Sequence, residues 1–149
     1  MKIPSGIYGR YERKQKVLFY SISEYKKIIH PICIHNSLKI VDEIENFNYR
    51  NYHVIHISKG ELNVALLCNI YHPFCGTILW SDEIYMPRTF IEFPGKIPTE
   101  YSEIPMLTSE TLNSYPKENS LECLSKDELK DIKYWEVENL GQIIFNDWD

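Results

Sequence analysis

Tyr52-His-Val-Ile-His-Ile-Ser58, Lys59-Gly-Glu61 and Leu62-Asn-Val-Ala-Leu-Leu-Cys-Asn-Ile-Tyr71 run consecutively, and they decide the fold class. The first segment alternates and is rich in Val and Ile, as a strand with two different faces requires. Lys59-Gly60-Glu61 is a turn signal, so the two flanking segments are expected to pair as an antiparallel hairpin. Within the second, Val64-Ala-Leu-Leu-Cys68 is continuously apolar, which points to a central strand covered on both faces. His53 and His56 are three apart on the first strand, so they point to opposite faces and cannot ligate one ion together.

Downstream of the hairpin, residues 72–76 read as a loop and 77–80 as a further strand. Residues 81–83 read as a turn, and 84–86 with 88–93 as one interrupted strand that Pro87 places at an edge or bulge. Residues 94–120 are punctuated by Pro94, Gly95, Pro98, Pro105 and Pro116, and an irregular stretch of that length is usually functional or partly disordered. A short helix is expected within it, at 108–115. Ser125-Lys-Asp-Glu128 matches a capping box, predicting a helix to about Ile132. Asn139 can cap a last helix through Phe145, although Gly141 weakens it. Upstream of the hairpin, 17–22 is expected as a strand. Ser23 would cap a helix over 24–29 that ends by His30, because Pro31 disfavours a helical residue before it. Residues 36–47 carry Leu38, Val41, Ile44 and Phe47 at helical spacing, with Asn36 or Ser37 as cap, predicting a second helix. The expected fold is α+β: one domain over residues 1–149, with a central, mainly antiparallel sheet and helices from both chain ends packed on it.

The 149 residues suffice to bury a core without staples. The longest apolar runs fall far short of the roughly 20 residues of a membrane span, and the segment Met1-Lys-Ile-Pro-Ser-Gly6 has no apolar stretch behind its lysine, so no signal peptide is expected. A cytoplasmic location follows as the expectation, with Cys33, Cys68, Cys75 and Cys123 as reduced thiols. Charge is segregated. Residues 1–75 hold 10 basic and 6 acidic side chains for a net +4, and residues 76–149 hold 6 and 15 for a net −9. An acidic half argues against nucleic acid as ligand, despite the basic, tyrosine-interleaved run Arg10, Arg13, Lys14 and Lys16. It favours a basic protein partner, the alternative being a solvated acidic surface that only aids solubility.

Motifs for chemistry are sparse. Cys68-x3-His72-x2-Cys75, with His56 as a fourth group, has zinc-like residue types but no paired Cys-x2-Cys; neighbouring, unconnected side chains are the simpler reading. His30-x2-Cys33-x-His35 could pair a nucleophile with a base, but no orienting group can be named. There is no phosphate-binding glycine loop and no nucleophile-elbow motif. No residue is assigned a catalytic, cofactor-binding or metal-binding role, and no cofactor, nucleic-acid or membrane partner is expected.

The closing segment, Ile132-Lys-Tyr-Trp135 followed by Leu140-Gly-Gln-Ile-Ile-Phe-Asn-Asp-Trp-Asp149, resembles the C-terminal pattern of bacterial immunity proteins of polymorphic-toxin systems, notably contact-dependent growth inhibition. The resemblance covers about a seventh of the chain. It implies a non-enzymatic antitoxin that binds and neutralises a cognate toxin domain, a nuclease being the expected class. Acidity fits, since such an inhibitor competes with phosphate for basic groups. On charge and loop position, the expected partner-binding residues are Asp82, Glu83, Tyr85, Glu92, Glu100, Tyr101 and Glu103, with the tail itself docking as core. The competing readings are a small enzyme using the Cys/His groups and a self-associating structural or adaptor protein.

Overall fold

A computed structural model of the chain describes residues 1–9, 20–46, 50–82, 89–101 and 105–148. Among them lie helix α1 (Ile22–His35) and strands β1 (Lys39–Ile44), β2 (Tyr52–Lys59), β3 (Leu62–Asn69) and β4 (Cys75–Leu79). A 3₁₀ turn (Thr99–Tyr101) and helices α2 (Ser109–Asn113), α3 (Glu118–Leu121), α4 (Lys126–Tyr134) and α5 (Leu140–Ile144) complete the order. The strands form one antiparallel sheet in the order β1-β2-β3-β4, so the class is α+β as expected.

The quoted hairpin holds throughout. Tyr52 pairs with Asn69 and Lys59 with Leu62, and Gly60 takes a left-handed φ of 60° in the turn, a conformation open to glycine at no steric cost. Val64 to Cys68 are all buried, because two layers cover the sheet. One face packs α1, through Tyr25, Ile29, Ile32 and Cys33, against Ile55, Ile57, Leu66 and Cys68. On the other face, Tyr52, Val54, Leu67 and Ile78 meet Ile3 and Ile7 from the N-terminal segment and Ile143, Ile144, Phe145 and Trp148 from the tail.

Two upstream expectations are overturned. The helix does not stop before Pro31; α1 runs through it, from an N-cap at Ser21 whose capping box uses Glu24, not from Ser23. Ile22, Tyr25, Ile29, Ile32 and Cys33 recur at helical spacing and are all buried, so burial of this face outweighs the lost bond. Pro31 is half-buried, and the carbonyl it leaves unmatched belongs to exposed Lys27. Consequently Ile22, expected to close a strand, opens a helix; residues 17–19 of that strand, and the basic run from Arg10 to Lys16, lie outside the described residues.

The helix expected over 36–47 is instead a turn and strand β1. Leu38 is buried and Ile40 half-buried on the α1 side of the sheet, a register shift between Ile40 and Asp42 turns half-buried Ile44 to the opposite side, and Val41, which completed the helical pattern, faces solvent. Asn36 ends α1 and does not cap a new helix. Its side-chain amide donates to the carbonyls of Ile32 (2.9 Å) and Lys96 (2.7 Å), and its Oδ1 accepts from the Lys96 N–H. Ser37 reverses the chain with a φ of 55°. Phe47 lies outside the described residues.

Downstream, β4 begins at Cys75, earlier than expected. The interrupted strand is represented, among the described residues, by one bridge between Ile91 and Thr77, and residues 83–88 lie outside them. The caps at Ser125 and Asn139 form as read; the short helix expected at 108–115 is α2, capped by Thr108; α3 carries no side-chain cap signal and was not foreseen. Gly141 weakens α5 in isolation but permits its docking, since a Cβ there would run into the Phe90 ring.

Three buried asparagines join these parts. Asn51 and Asn69 each donate to the carbonyls of both Ile7 and Ile144, at 2.7–3.1 Å. Asn69 Oδ1 accepts from the N–H groups of Tyr71 (2.8 Å) and His72 (2.9 Å). Asn51 Oδ1 accepts from Asn146, whose own amide donates to Ile143. Fully buried Glu128, besides its capping box, accepts from the Ser5 hydroxyl (2.8 Å) and the Gly6 N–H (3.1 Å). The N-terminal segment is thus hydrogen-bonded to sheet, α4 and tail together.

Candidate functional site

The hairpin alternation puts His56 on the tail-facing side of the sheet, opposite Ala65 on β3, which in turn faces Ile78 on β4. Two residues beyond Ile78, Trp80 returns to the same side and its N–H donates to the Asn63 carbonyl at 3.0 Å. Ala65 carries only a methyl group, so the rings from either side of β3 meet above it. The His56 and Trp80 rings stack with centroids 3.8 Å apart and planes within 3°. Asn63 Oδ1 lies 2.8 Å from His56 Nε2, which fixes the tautomer with the proton on Nε2, and the Asn63 amide donates to the Glu61 carbonyl. Both rings remain half-buried at the hairpin end of the sheet. Asp42, the β1 partner of His56, and Glu61 and Asp82 are exposed at this end. The site is a stacked pair of rings, His56 held by Asn63, with exposed carboxylates at the same end of the sheet. Such a pair offers a stacking surface for a cation or a planar group at little entropic cost.

Of the residues expected to bind a partner, Asp82 belongs to this end of the sheet. Glu92 is exposed but engaged: its carboxylate accepts from the Ser109 hydroxyl and N–H, both at 2.6 Å, and these bonds hold its pKa below the usual carboxylate range. Those bonds tie it to the start of α2. Glu100 is exposed in the 3₁₀ turn that ends at Tyr101. Glu83, Tyr85 and Glu103 lie outside the described residues. His56, Asn63 and Trp80 were missed as a group; strand alternation signals a shared face, but only the β2-β3-β4 pairing with a small residue in the middle brings the rings together.

The Cys/His groupings do not assemble. On α1, Cys33 faces the core while His30 and His35 are exposed, and burial pushes the Cys33 thiol up to about 11. Cys68 and Cys75 are buried side by side, but His72 sits against the Ser5 carbonyl (3.2 Å) and His56 against Trp80. Among the described residues no cluster of three or more His, Cys, Asp or Glu could hold a metal ion. A cleft of about 340 Å³ lies beside Glu45, His53 and Tyr71. His53 is already committed there: Nδ1 accepts from the Asn46 N–H at 3.0 Å and Nε2 faces the Tyr20 carbonyl at 2.9 Å.

This arrangement requires neutral His53, and burial lowers its pKa, as burial also does for His72. As pH falls below about 6.5 the unfolded chain protonates both imidazoles before the folded protein does, so stability declines on acidification, by at most about 1.4 kcal/mol per pH unit for each group. Above about pH 7 both states are neutral at these positions and the contribution is constant. The urea midpoint is expected to drop between about pH 7.5 and 5.5, and to drop less in His53→Gln/His72→Gln protein. A midpoint equally steep in that variant would assign the pH dependence elsewhere.

Among the described residues no helix is long and apolar enough to cross a membrane. No family model matches the chain, and no match is found among curated proteins or solved structures.

Proposed function

We propose that this chain is a cytoplasmic immunity protein that binds and neutralises a cognate toxin domain with a basic surface, a nuclease in the first instance. The observation that carries the reading is the half-buried His56–Trp80 stack, its imidazole held by Asn63, at the end of the sheet where Asp42, Glu61 and Asp82 are exposed. A basic loop would place an Arg or Lys over the rings and meet the acids at that end of the sheet. The net −9 of residues 76–149 would speed the encounter by long-range attraction. The tail resemblance supports the same reading; within it Phe145 and Trp148 pack into the core with Trp135 against them, while Tyr134 is exposed.

The test is binding to the C-terminal domain of the product encoded immediately upstream. The Asp42→Lys/Asp82→Lys variant is expected to slow association and to flatten its dependence on salt. Trp80→Ala is expected to weaken affinity by at least about 30-fold (~2 kcal/mol), chiefly through dissociation. Unchanged circular dichroism would establish that both variants remain folded. Binding left intact by both variants would remove the stack from the interface.

A further inference from the structure

Cys68 and Cys75 are directly opposite one another across the β3–β4 ladder. The backbone fixes which kind of pair they form. The Cys75 N–H donates to the Pro105 carbonyl at 3.1 Å, and the Cys75 carbonyl accepts from the Leu107 N–H at 2.9 Å. Both groups point away from β3, so the couple is a non-hydrogen-bonded antiparallel pair. Pairs of that kind bring Cα atoms to about 4.5 Å and side chains closest together, within the roughly 4.4–6.8 Å that a disulfide spans. The two sulfur atoms lie 3.8 Å apart, and neither residue is exposed.

We propose that Cys68 and Cys75 are an oxidisable dithiol that closes into a cross-strand disulfide by exchange with a low-molecular-weight disulfide. One thiolate attacks the small disulfide, breaking its S–S bond and releasing one small thiol. The second cysteine sulfur then attacks the protein sulfur of the mixed disulfide, forming the Sγ–Sγ bond and releasing the second small thiol. The protein loses two electrons, the small disulfide gains them, and the two cysteine protons leave on the two small thiols. The pair lies at the strand ends, one residue before the end of β3 and at the start of β4, so opening one end of the ladder admits the reagent.

The bond would staple a junction that several parts share. The Tyr25 hydroxyl of α1 donates to the carbonyls of Asn69 (2.6 Å) and His72 (3.2 Å), and the His72 ring meets Ser5 of the N-terminal segment. Oxidation would therefore close the 69–74 connection that α1 and the N-terminal segment both contact.

The test uses Cys33→Ala/Cys123→Ser protein, in which these two thiols alone remain. It is equilibrated with glutathione and its disulfide, natively and in urea above the unfolding transition, then trapped by alkylation and weighed. The native protein is expected to form the internal disulfide with an equilibrium constant at least about tenfold above that of the unfolded chain, and its oxidised form to melt higher. An equal or smaller constant in the native protein would overturn the proposal, since the fold would then not favour the bond. Should that background fail to fold, the same comparison in the unsubstituted protein, read by mapping the peptide linking 68 to 75, decides it by the same criterion.

Discussion

Deletion of residues 143–149 is expected to abolish the folded state. Ile143, Ile144 and Phe145 have no exposure and Trp148 only 8%. At about 1.5–3 kcal/mol for each large buried side chain, their loss removes several kcal/mol, comparable with the ~5–15 kcal/mol by which a domain is stable at all. The packing is specific as well as extensive. Phe145 meets Tyr52 edge-on at 6.2 Å, Trp148 stacks with Trp135 at 5.9 Å, and Tyr8 approaches Trp148 edge-on at 5.1 Å. The deletion also removes Asn146, and with it the bonds to Asn51 and Ile143. Circular dichroism and urea unfolding check this, with Phe145→Ala as the graded version at a cost of about 3–5 kcal/mol. A truncated protein that melts like the full chain would show that the tail is not core.

Asn69→Ala is expected to cost about 3–4 kcal/mol without changing side-chain packing volume greatly. The residue has no exposure and makes four hydrogen bonds: two donated to the carbonyls of Ile7 and Ile144, two accepted from the N–H groups of Tyr71 and His72. Its removal leaves four backbone groups in search of partners inside the protein, each lost bond being worth about 1 kcal/mol. Asn69→Asp is expected to be as damaging, because a carboxylate would face two carbonyl oxygens it cannot satisfy. Urea midpoints measure both, and a cost below about 1 kcal/mol for Asn69→Ala would remove this residue from its proposed role as the junction of N-terminal segment, sheet and tail.

The parts of the fold legible in the sequence are those where local pattern and tertiary burial agree. The hairpin of β2 and β3 follows from alternation and from Gly60, and the caps at Ser125 and Asn139 follow from side-chain chemistry alone. The failures share a cause. Leu38, Val41 and Ile44 recur at helical spacing, and only pairing with β2, across a register shift between Ile40 and Asp42, selects the strand. Pro31 is a helix breaker by propensity, but the buried face of α1 extends on both sides of it and prevails. The asparagine junction was invisible because Asn51 and Asn146 lie 95 residues apart, and the closing motif that contains Asn146 does not point to its partner. For the candidate site, Asp82 was legible as an exposed acid, and His56 as pointing away from His53. The stack that His56 forms with Trp80 depends on two strand pairings meeting over Ala65, which no local spacing announces.

The central claim is neutralisation of a toxin, and growth of cells tests it most directly. The C-terminal domain of the upstream gene's product is expressed alone and together with this chain. Toxin expression alone is expected to arrest growth, the unsubstituted chain to restore it, and the Asp42→Lys/Asp82→Lys/Trp80→Ala variant, present at equal level and folded, to fail. A toxin domain whose growth arrest persists undiminished beside the folded, unsubstituted chain would contradict the claim.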